Sequence, residues 1–396
     1  MEGNKRILFI LPRFTFGGTV FSTLNMISIL SKYDIDISVL AMTHQGPVKK
    51  YYESYTVLPE NVFLSALTGD YKKENNICRK LFFLTILTIK RISEKIGINL
   101  ADYIYKLIAN RIQSQEKYSI VASCQEGDST YFASFFDSAK QIAWCRTEYT
   151  YYKNQISTKT LEYEQVCYRK FDKIVCVSQT TRDDFVKYFS GLDNLTLAIH
   201  NIQNVENITS MAKETLVDKV FDTNTFTIVS VGRIAPQKRF PMIPEIASKI
   251  KSRNIKFKWY IIGDGNVDGE NDKLKNNIRK FDVADVVICI GSRINPYPYI
   301  YNSNLLVNTS SYEACPRVVI EAKILKTPVI CSDFSSAREF VTNDYDGYVD
   351  RLEKLDDRIY RMISDKDYYS IIKDNCDKYV FDTQHIIEQL KELFIS

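Results

Sequence analysis

Ten short runs of apolar, often β-branched residues punctuate this chain, and a polar or amphipathic segment of helical character follows most of them. KRILFIL, DISVLAM, YSIVASC, KQIAWC and FDKIVCVS form a first series; FTIVSVGR, KFKWYIIGDG, ADVVICIGS, NLLVNTS and TPVICSD form a second. Each run is too short for a helix and too uniformly apolar for a strand with one wet face, so each reads as a strand buried on both sides. Alternation of such strands with helices predicts parallel sheets covered by helices, an α/β fold. The Asn-rich passage NIQNVENITSMAKETLVDKVFDTNT separates the two series. It places a boundary near residue 205 and predicts two doubly wound domains. Open sheets of this kind bind ligands at the carboxyl ends of their strands, so the function is expected in a cleft where two such edges face each other.

Composition narrows the function classes. The 396 residues carry 52 Lys+Arg against 48 Asp+Glu, a net charge of +4 that is too mild for nucleic acid to be the main partner. The surplus lies in residues 1–200, where 25 basic side chains meet 20 acidic ones, a net of +5. Nine cysteines, odd in number and scattered without a C-x-x-C, argue against a disulfide framework and a zinc site and fit a reducing cytosol. The apolar runs Ile7–Leu11 and Leu81–Ile89 are too short for a signal-peptide core or a membrane span, so no membrane crossing is expected.

The densest chemical signal is SYEACPRVVIEAKILKTPVICSD. Pro316 suits the first turn of a helix, with Glu313 just before it and Glu321 within it. A helix N-terminus offers unbonded N–H groups and the positive end of a dipole, a setting for an anion. Carboxylates would repel phosphate, so Glu313 and Glu321 read as acceptors for sugar and ribose hydroxyls. Upstream, VGRIAPQKRF sets Arg233 and Lys238 just past the strand TIVSVG. Two cations and a helix end can hold a diphosphate without a metal, because they neutralise the charge on a departing phosphate. The pair Gly17-Gly18 after the first strand lets backbone approach a phosphate or sugar closely. Together these features name a nucleotide-sugar site. Asp34-Ile35-Asp36 spells the D-x-D of metal-dependent transferases but enters the second strand at its amino end, and reads as a structural turn. His44, His200 and His385 lack ligand spacing and read as non-ligands, and Gly263 and Gly265 read as turn residues.

With these motifs the chain resembles the retaining glycosyltransferases of family 4, whose two-domain architecture is called GT-B. The resemblance covers nearly the whole length. It runs through the Gly-Gly turn, FDKIVCVSQTTRDDF, VGRIAPQKRF, IIGDG, IGSRINPYPYIYNSNLLVNTSSYEACPRVVIEAKILKTPVI and the later E-F-V…D-G-Y-V. Glu313 and Glu321, with seven residues between them, reproduce the family's signature spacing. The resemblance implies an N-terminal Rossmann-like acceptor domain over 1–205 and a C-terminal Rossmann-like donor domain over 206–379. A final helix, about 380–396 and containing IIEQLKELFIS, would cross back to the first domain. By the same resemblance Arg233 and Lys238 contact the donor diphosphate, Glu321 the ribose and Glu313 the transferred sugar. The backbone of Cys315, Pro316, Arg317 and Val318 would meet the sugar and phosphates, Ser292-Arg293 would border the base, and Gly17 and Gly18 would approach the donor. The implied reaction is metal-independent transfer of a hexose with retention, from a UDP-sugar to a glycan or lipid-linked acceptor of bacterial surface polysaccharide, with no cofactor. The implied location is cytoplasmic and peripheral on the inner face of the membrane.

Departures from the family pattern bear on the substrates. Ala314-Cys315 stand where Gly and an aromatic or aliphatic residue are usual, Phe334-Ser335-Ser336 stand where a Gly pair is usual, and Arg146 occupies a position where many relatives carry His. Glu126 and Arg146 follow first-domain strands and are candidates for the acceptor side. Residues 72–113 hold nine basic and three acidic side chains, with Leu100, Tyr103, Ile104, Leu107 and Ile108 at helical spacing. This segment either lies in a membrane interface or packs its stripe on the first-domain core, and the implied lipid-linked acceptor favours the membrane. Two other functions draw on the same architecture. A nicotinamide-dependent oxidoreductase lacks the expected G-x-G-x-x-G with an acidic residue about 20 positions on. A non-catalytic sugar-nucleotide-binding partner of a polysaccharide assembly complex would keep the same phosphate and ribose contacts.

Overall fold

A computed structural model describes residues 5–15, 17–43, 46, 48–68, 74–95, 99–216, 218, 221–222 and 224–395. His44 lies outside the described residues, as do 72, 73 and 96–98 of the basic segment. The chain separates into two compact units, Met1–Ile202 together with Thr383–Ser396, and Gln203–Asp382.

The first unit is built on a seven-stranded sheet: β1 Lys5–Arg13, β2 Ile35–Thr43, β3 Thr56–Val57, β4 Ile120–Ser123, β5 Lys140–Cys145, β6 Lys173–Cys176 and β7 Thr196–Ala198. Its order is β3-β2-β1-β4-β5-β6-β7 and every pairing is parallel. The direction of winding therefore reverses between β1 and β4. β1 sits inside the sheet, with Ile7 level with Ile37 on one side and Ile120 on the other, and Ile7 to Leu11 wholly buried. It continues through Pro12, which is tolerated because pairing with β4 ends at Ile10–Ser123 and no ladder bond is required of that nitrogen. The second unit holds β8 Phe226–Val231, β9 Phe257–Ile262, β10 Val287–Gly291, β11 Leu305–Asn308, β12 Val329–Ser332 and β13 Gly347–Asp350. Its order is β10-β9-β8-β11-β12-β13, again all parallel, with the reversal between β8 and β11.

Both sheets are the doubly wound kind that the alternation predicts. Three strands escape the apolar-run signal: β3, β7 and β13. Each closes one edge of its sheet, pairs on one side only and has two to four residues, so it needs no unbroken apolar sequence.

The final helix, Thr383–Phe394, belongs to the first unit. Phe394 stacks on Trp144 of β5 at 5.8 Å and tilts against Phe9 of β1 at 5.6 Å, while Lys140 donates to the Leu393 carbonyl at 2.9 Å. Elsewhere in this core the helix Thr158–Tyr168 carries a fully buried carboxylate, Glu164. It accepts 2.8 Å hydrogen bonds from the hydroxyls of Tyr131 and Tyr149, and Tyr149 meets Tyr168 at 3.1 Å. Burial pushes the Glu164 carboxyl up to about 7, against the pull of the tyrosine hydrogen bonds. The native chain therefore holds this proton through a pH window in which the unfolded chain has lost it. Stability should fall as pH rises from about 4.5 to about 7, by at most roughly 1.4 kcal/mol per pH unit, and level off above that. Urea unfolding across pH 5 to 8 tests this: Glu164→Gln, which keeps the shape and an acceptor, is expected to lose that part of the slope.

Candidate active site

The second unit places its expected site residues at the carboxyl edge of the sheet. Arg233 and Lys238 follow β8, Ser292 and Arg293 follow β10, and Glu313 with residues 315–318 follows β11. Since winding reverses between β8 and β11, the Arg233–Lys238 loop and the Glu313 loop flank the crevice that this topology opens. Glycines make the edge close-packed. A Cβ on Gly263, at the end of β9, would lie 1.8 Å from the Gly232 carbonyl oxygen, so only glycine fits there. Gly232 and Gly265 give room to stems: added Cβ atoms would lie 3.1 Å from Lys238 Cε and 3.2 Å from Arg233 Cγ.

Lys238 forms an ion pair with Glu313. The two side chains are only 19% and 12% exposed, so the pair is shielded from solvent screening. Glu313 also accepts from Ser310 Oγ at 2.8 Å, and the Ser336 hydroxyl donates to its carbonyl at 2.5 Å. The loops are laced by backbone as well: Thr309 donates to the Lys238 carbonyl at 2.6 Å, Ser311 N–H to the Gln237 carbonyl at 2.8 Å, and Gln237 Nε2 to the Tyr312 carbonyl at 2.7 Å. Arg233, by contrast, is exposed and makes no ion pair among the described residues.

The helix after this loop runs Arg317–Ile324. Pro316, expected in its first turn, stands one place earlier at the N-cap, with φ −76° and ψ 84°. Its carbonyl accepts from Val319 N–H at 3.0 Å and Ile320 N–H at 3.2 Å, as an N-cap carbonyl does. No side chain caps this terminus, so the first-turn N–H groups keep their capacity for an anion. Glu321, nearly buried, is held by Arg317 Nη2 at 2.9 Å and by the Tyr297 hydroxyl at 3.3 Å. Both bonds reach Oε1. Burial, then the neighbouring Glu321 charge, raises the Tyr297 phenol well above its ordinary value, so it stays a donor. Cys315 and Val318 are half-buried and Pro316 is buried.

Arg293 is committed elsewhere. Its guanidinium makes a bidentate pair with Asp218 at 2.6 and 2.8 Å and contacts the Tyr299 hydroxyl at 3.3 Å. Those bonds hold the Asp218 carboxyl below the usual range and raise the guanidinium. Ser292 is exposed beside it, on the wall of a shallow 350 Å³ hollow. A larger 760 Å³ hollow, lined in part by Arg239, Met242 and Glu270, contains none of the expected site residues.

In the first unit the corresponding reversal lies between β1 and β4. Gly17 is the N-cap of the helix Gly18–Leu30, with extended backbone open to any residue and nothing within 4 Å of an added Cβ. Arg146, past β5, is a bracket. It donates to the Cys124 carbonyl at 2.7 Å, Ser22 Oγ at 2.8 Å, Asn201 Oδ1 at 2.5 Å and Thr23 Oγ1 at 3.4 Å, and its N–H donates to Glu126 Oε2 at 2.9 Å. Burial raises the Glu126 carboxyl. Glu126 and Arg146 are therefore brought together. Asp34-Ile35-Asp36 enters β2 at its amino end, away from the carboxyl edge, where Asp36 meets Arg6 at 3.5 Å. Among the described residues no group of three or more His, Cys, Asp and Glu is arranged to hold a metal ion.

Sequence reasoning missed Ser310, Ser336, Tyr297 and Asp218. Ser310 stands three residues before Glu313, a spacing that could have suggested a shared turn. The other three reach the site through tertiary packing and leave no local signal.

Residues 212–379 match the family described as glycosyl transferases group 1. The match covers most of the second unit, Gln203–Asp382. The matched residues include VGRIAPQKRF and the Glu313/Glu321 segment, two of the motifs that carry the family 4 resemblance. Among curated relatives, an uncharacterized glycosyltransferase of Methanocaldococcus jannaschii is 25% identical over 201 residues, covering 50% of this chain and 49% of its own. The UDP-Gal:alpha-D-GlcNAc-diphosphoundecaprenol alpha-1,3-galactosyltransferase of Escherichia coli is 24% identical over 241 residues, covering 58% and 59%. The chain spans about half the length of the first curated relatives it matches. Among solved structures, Anabaena HepE in complex with UDP and glucose aligns with a TM-score of 0.74 at 16% identity, over 98% of this chain and 99% of that one. The fold is GT-B.

Lys238 and Glu313 should be energetically coupled, since removing either partner leaves a shielded charge uncompensated. A double-mutant cycle of Lys238→Ala and Glu313→Ala, followed by urea unfolding, is expected to return a coupling of about 1–3 kcal/mol.

Proposed function

We propose that this chain is a metal-independent, retaining glycosyltransferase that moves a hexose from a UDP-sugar to a hydroxyl of a glycan or lipid-linked oligosaccharide in bacterial surface polysaccharide synthesis. It would work in the cytoplasm, peripherally on the inner face of the membrane. One observation carries the reading: at the β8/β11 reversal of a group 1 unit, an exposed Arg233, the Lys238–Glu313 pair and an uncapped helix N-terminus with Glu321 in its second turn share one sheet edge. Support for the donor comes from HepE, solved with UDP and glucose, and support for a lipid-diphosphate acceptor from the Escherichia coli relative, which uses UDP-Gal.

Each residue has a task in this reading. Arg233, Lys238 and the amides of Arg317 and Val318 hold the diphosphate and stabilise its charge as it leaves. Glu313 accepts from hydroxyls of the transferred sugar. Glu321, with Oε1 pinned by Arg317 and Tyr297, offers its other oxygen to the ribose hydroxyls. The loop Ser292-Arg293 borders the base, with the guanidinium held in place by Asp218. Gly17 and Gly18 approach the donor without a side chain in the way, and Glu126, steadied by Arg146, lies on the acceptor side. The acceptor hydroxyl attacks the anomeric carbon from the face the diphosphate leaves, and a leaving phosphate oxygen takes the hydroxyl proton. The configuration is retained and no strong protein base is needed.

Arg233→Ala and Lys238→Ala are each expected to lower turnover by roughly 100-fold or more, as loss of one such charge-stabilising donor does. Unchanged rates in both would refute the electrostatic account. Donor class is read by a thermal-shift screen over UDP-, GDP- and CMP-sugars, in which the UDP series should raise Tm by mass action and should do so with EDTA present. Slow hydrolysis of the bound nucleotide sugar that disappears in Glu313→Ala is the expected mark of an enzyme; binding with no turnover would instead make the chain a sugar-nucleotide-binding partner.

A further inference from the structure

We propose that the helices Ile77–Lys95 and Leu100–Gln115 of the first unit form a docking face for an anionic lipid surface. The longer helix is apolar on two sides. Phe83 and Ile86 turn into the core of the first unit; of the stripe expected on the second helix, Ile104 and Ile108 pack against that core while Tyr103 and Leu107 do not. On the other side of the longer helix Ile77 is 73% exposed, Leu81 60% and Ile92 57%, with Leu84 and Ile89 alongside. Residues 77, 81, 84, 88 and 92 follow one another at steps of three and four, so they share a face. The second helix packs Tyr105 and Ala109 inward and leaves Tyr103 and Leu107, four residues apart, 63% and 52% exposed. Seven of the eighteen exposed large apolar side chains among the described residues fall on these two helices, too dense for ordinary surface scatter.

Charge selects what covers it. From 77 to 115 there are seven basic residues and two acidic ones. Arg79 is paired with Glu60 and Glu74, and Lys90 lies near Glu94, but exposed Arg91, Lys95, Lys106 and Arg111 make no ion pair among the described residues. A second copy of the chain would set this positive charge against itself. An anionic bilayer would instead admit Ile77, Leu81 and Ile92 to the acyl boundary while the basic side chains reach the headgroup phosphates. No helix among the described residues is long and apolar enough to cross a membrane, so this one lies on the surface. The proposal rests on the membrane location given in the proposed function and names the face that makes the contact, while its test is independent of the transfer reaction, because vesicle binding is read without any sugar donor.

The test uses the full chain and sedimented vesicles, of phosphatidylcholine alone or with about 30 mol % phosphatidylglycerol. Wild type should co-sediment with the anionic vesicles at low salt, stay largely in solution with the neutral ones, and be released at high salt. Arg91→Gln with Lys95→Gln should weaken the partition roughly fivefold per charge removed. Leu81→Ser with Ile92→Ser should weaken it about tenfold or more. All four side chains are exposed, so an unchanged far-UV spectrum and Tm are expected in both variants. Wild type remaining in the supernatant with anionic vesicles at low salt overturns the proposal. So does vesicle binding that neither variant alters. A concentration-dependent dimer that Leu81→Ser with Ile92→Ser abolishes would assign the face to self-association and overturn it likewise. Loss of UDP binding with vesicle binding intact would refute the transfer reading and leave this one standing.

Discussion

The interaction around which the second unit's sheet edge is organised is the ion pair between Lys238 and Glu313. It joins the loop leaving β8 to the loop leaving β11 across the point where the sheet reverses its winding. A parallel sheet opens a crevice there because the two connections depart to opposite faces. The pair adds to the bonds of Thr309, Ser311 and Gln237 that lace the two loops together, and it sets the charge balance. With Lys238 neutralised by Glu313, the unbalanced positive charge at the edge belongs to Arg233 and to the N-terminus of the helix Arg317–Ile324. The two loops are therefore held in one arrangement rather than as a loose cluster of cations.

The first unit solves the same problem with a different bond. Arg146 fans its guanidinium over the ends of β4, the start of the helix Gly18–Leu30 and the segment after β7, while its N–H holds Glu126. A planar group with five donors suits this position, since one side chain can satisfy acceptors from several elements at once. The Glu164–tyrosine cluster deeper in the unit is a further buried polar network, fully hydrogen-bonded and protonated through the mildly acidic range. Polar networks thus hold the loops at the carboxyl ends in both units, while the strands are mostly apolar, with Ser38, Ser123 and Ser230 among the buried exceptions.

Much of this was legible in the residues. The ten apolar runs appear as strands, and the Gly pair, the VGRIAPQKRF loop and the Glu313/Glu321 segment all fall at strand carboxyl edges. Edge strands β3, β7 and β13 were not legible, because a strand with one partner does not need a continuous apolar sequence. Pro316 could be placed near a helix start but not at its N-cap, since proline is compatible with both positions. The pairing of Arg293 with Asp218, 75 residues away, was not legible in the sequence. The basic stretch over 72–113 presented two alternatives, core packing or an interface. Core packing describes one face of the longer helix, as Phe83 illustrates, while its opposite face leaves Leu81 exposed.

The amino-acid sequence alone determined the alternation of buried strands and helices, the division into two doubly wound units and the residue types at each sheet edge. Those properties follow from periodicity and composition over short stretches of chain. Tertiary structure alone decided which charges are spent and which remain. Lys238 is paired and Arg233 is not, Arg293 is bound to Asp218, Glu321 has one oxygen pinned by Arg317 and Tyr297, and Arg146 is a bracket. The reason is physical: a charged side chain acts over a few ångströms, and apart from the single turn between Arg317 and Glu321, those distances are set by chain segments far apart in sequence.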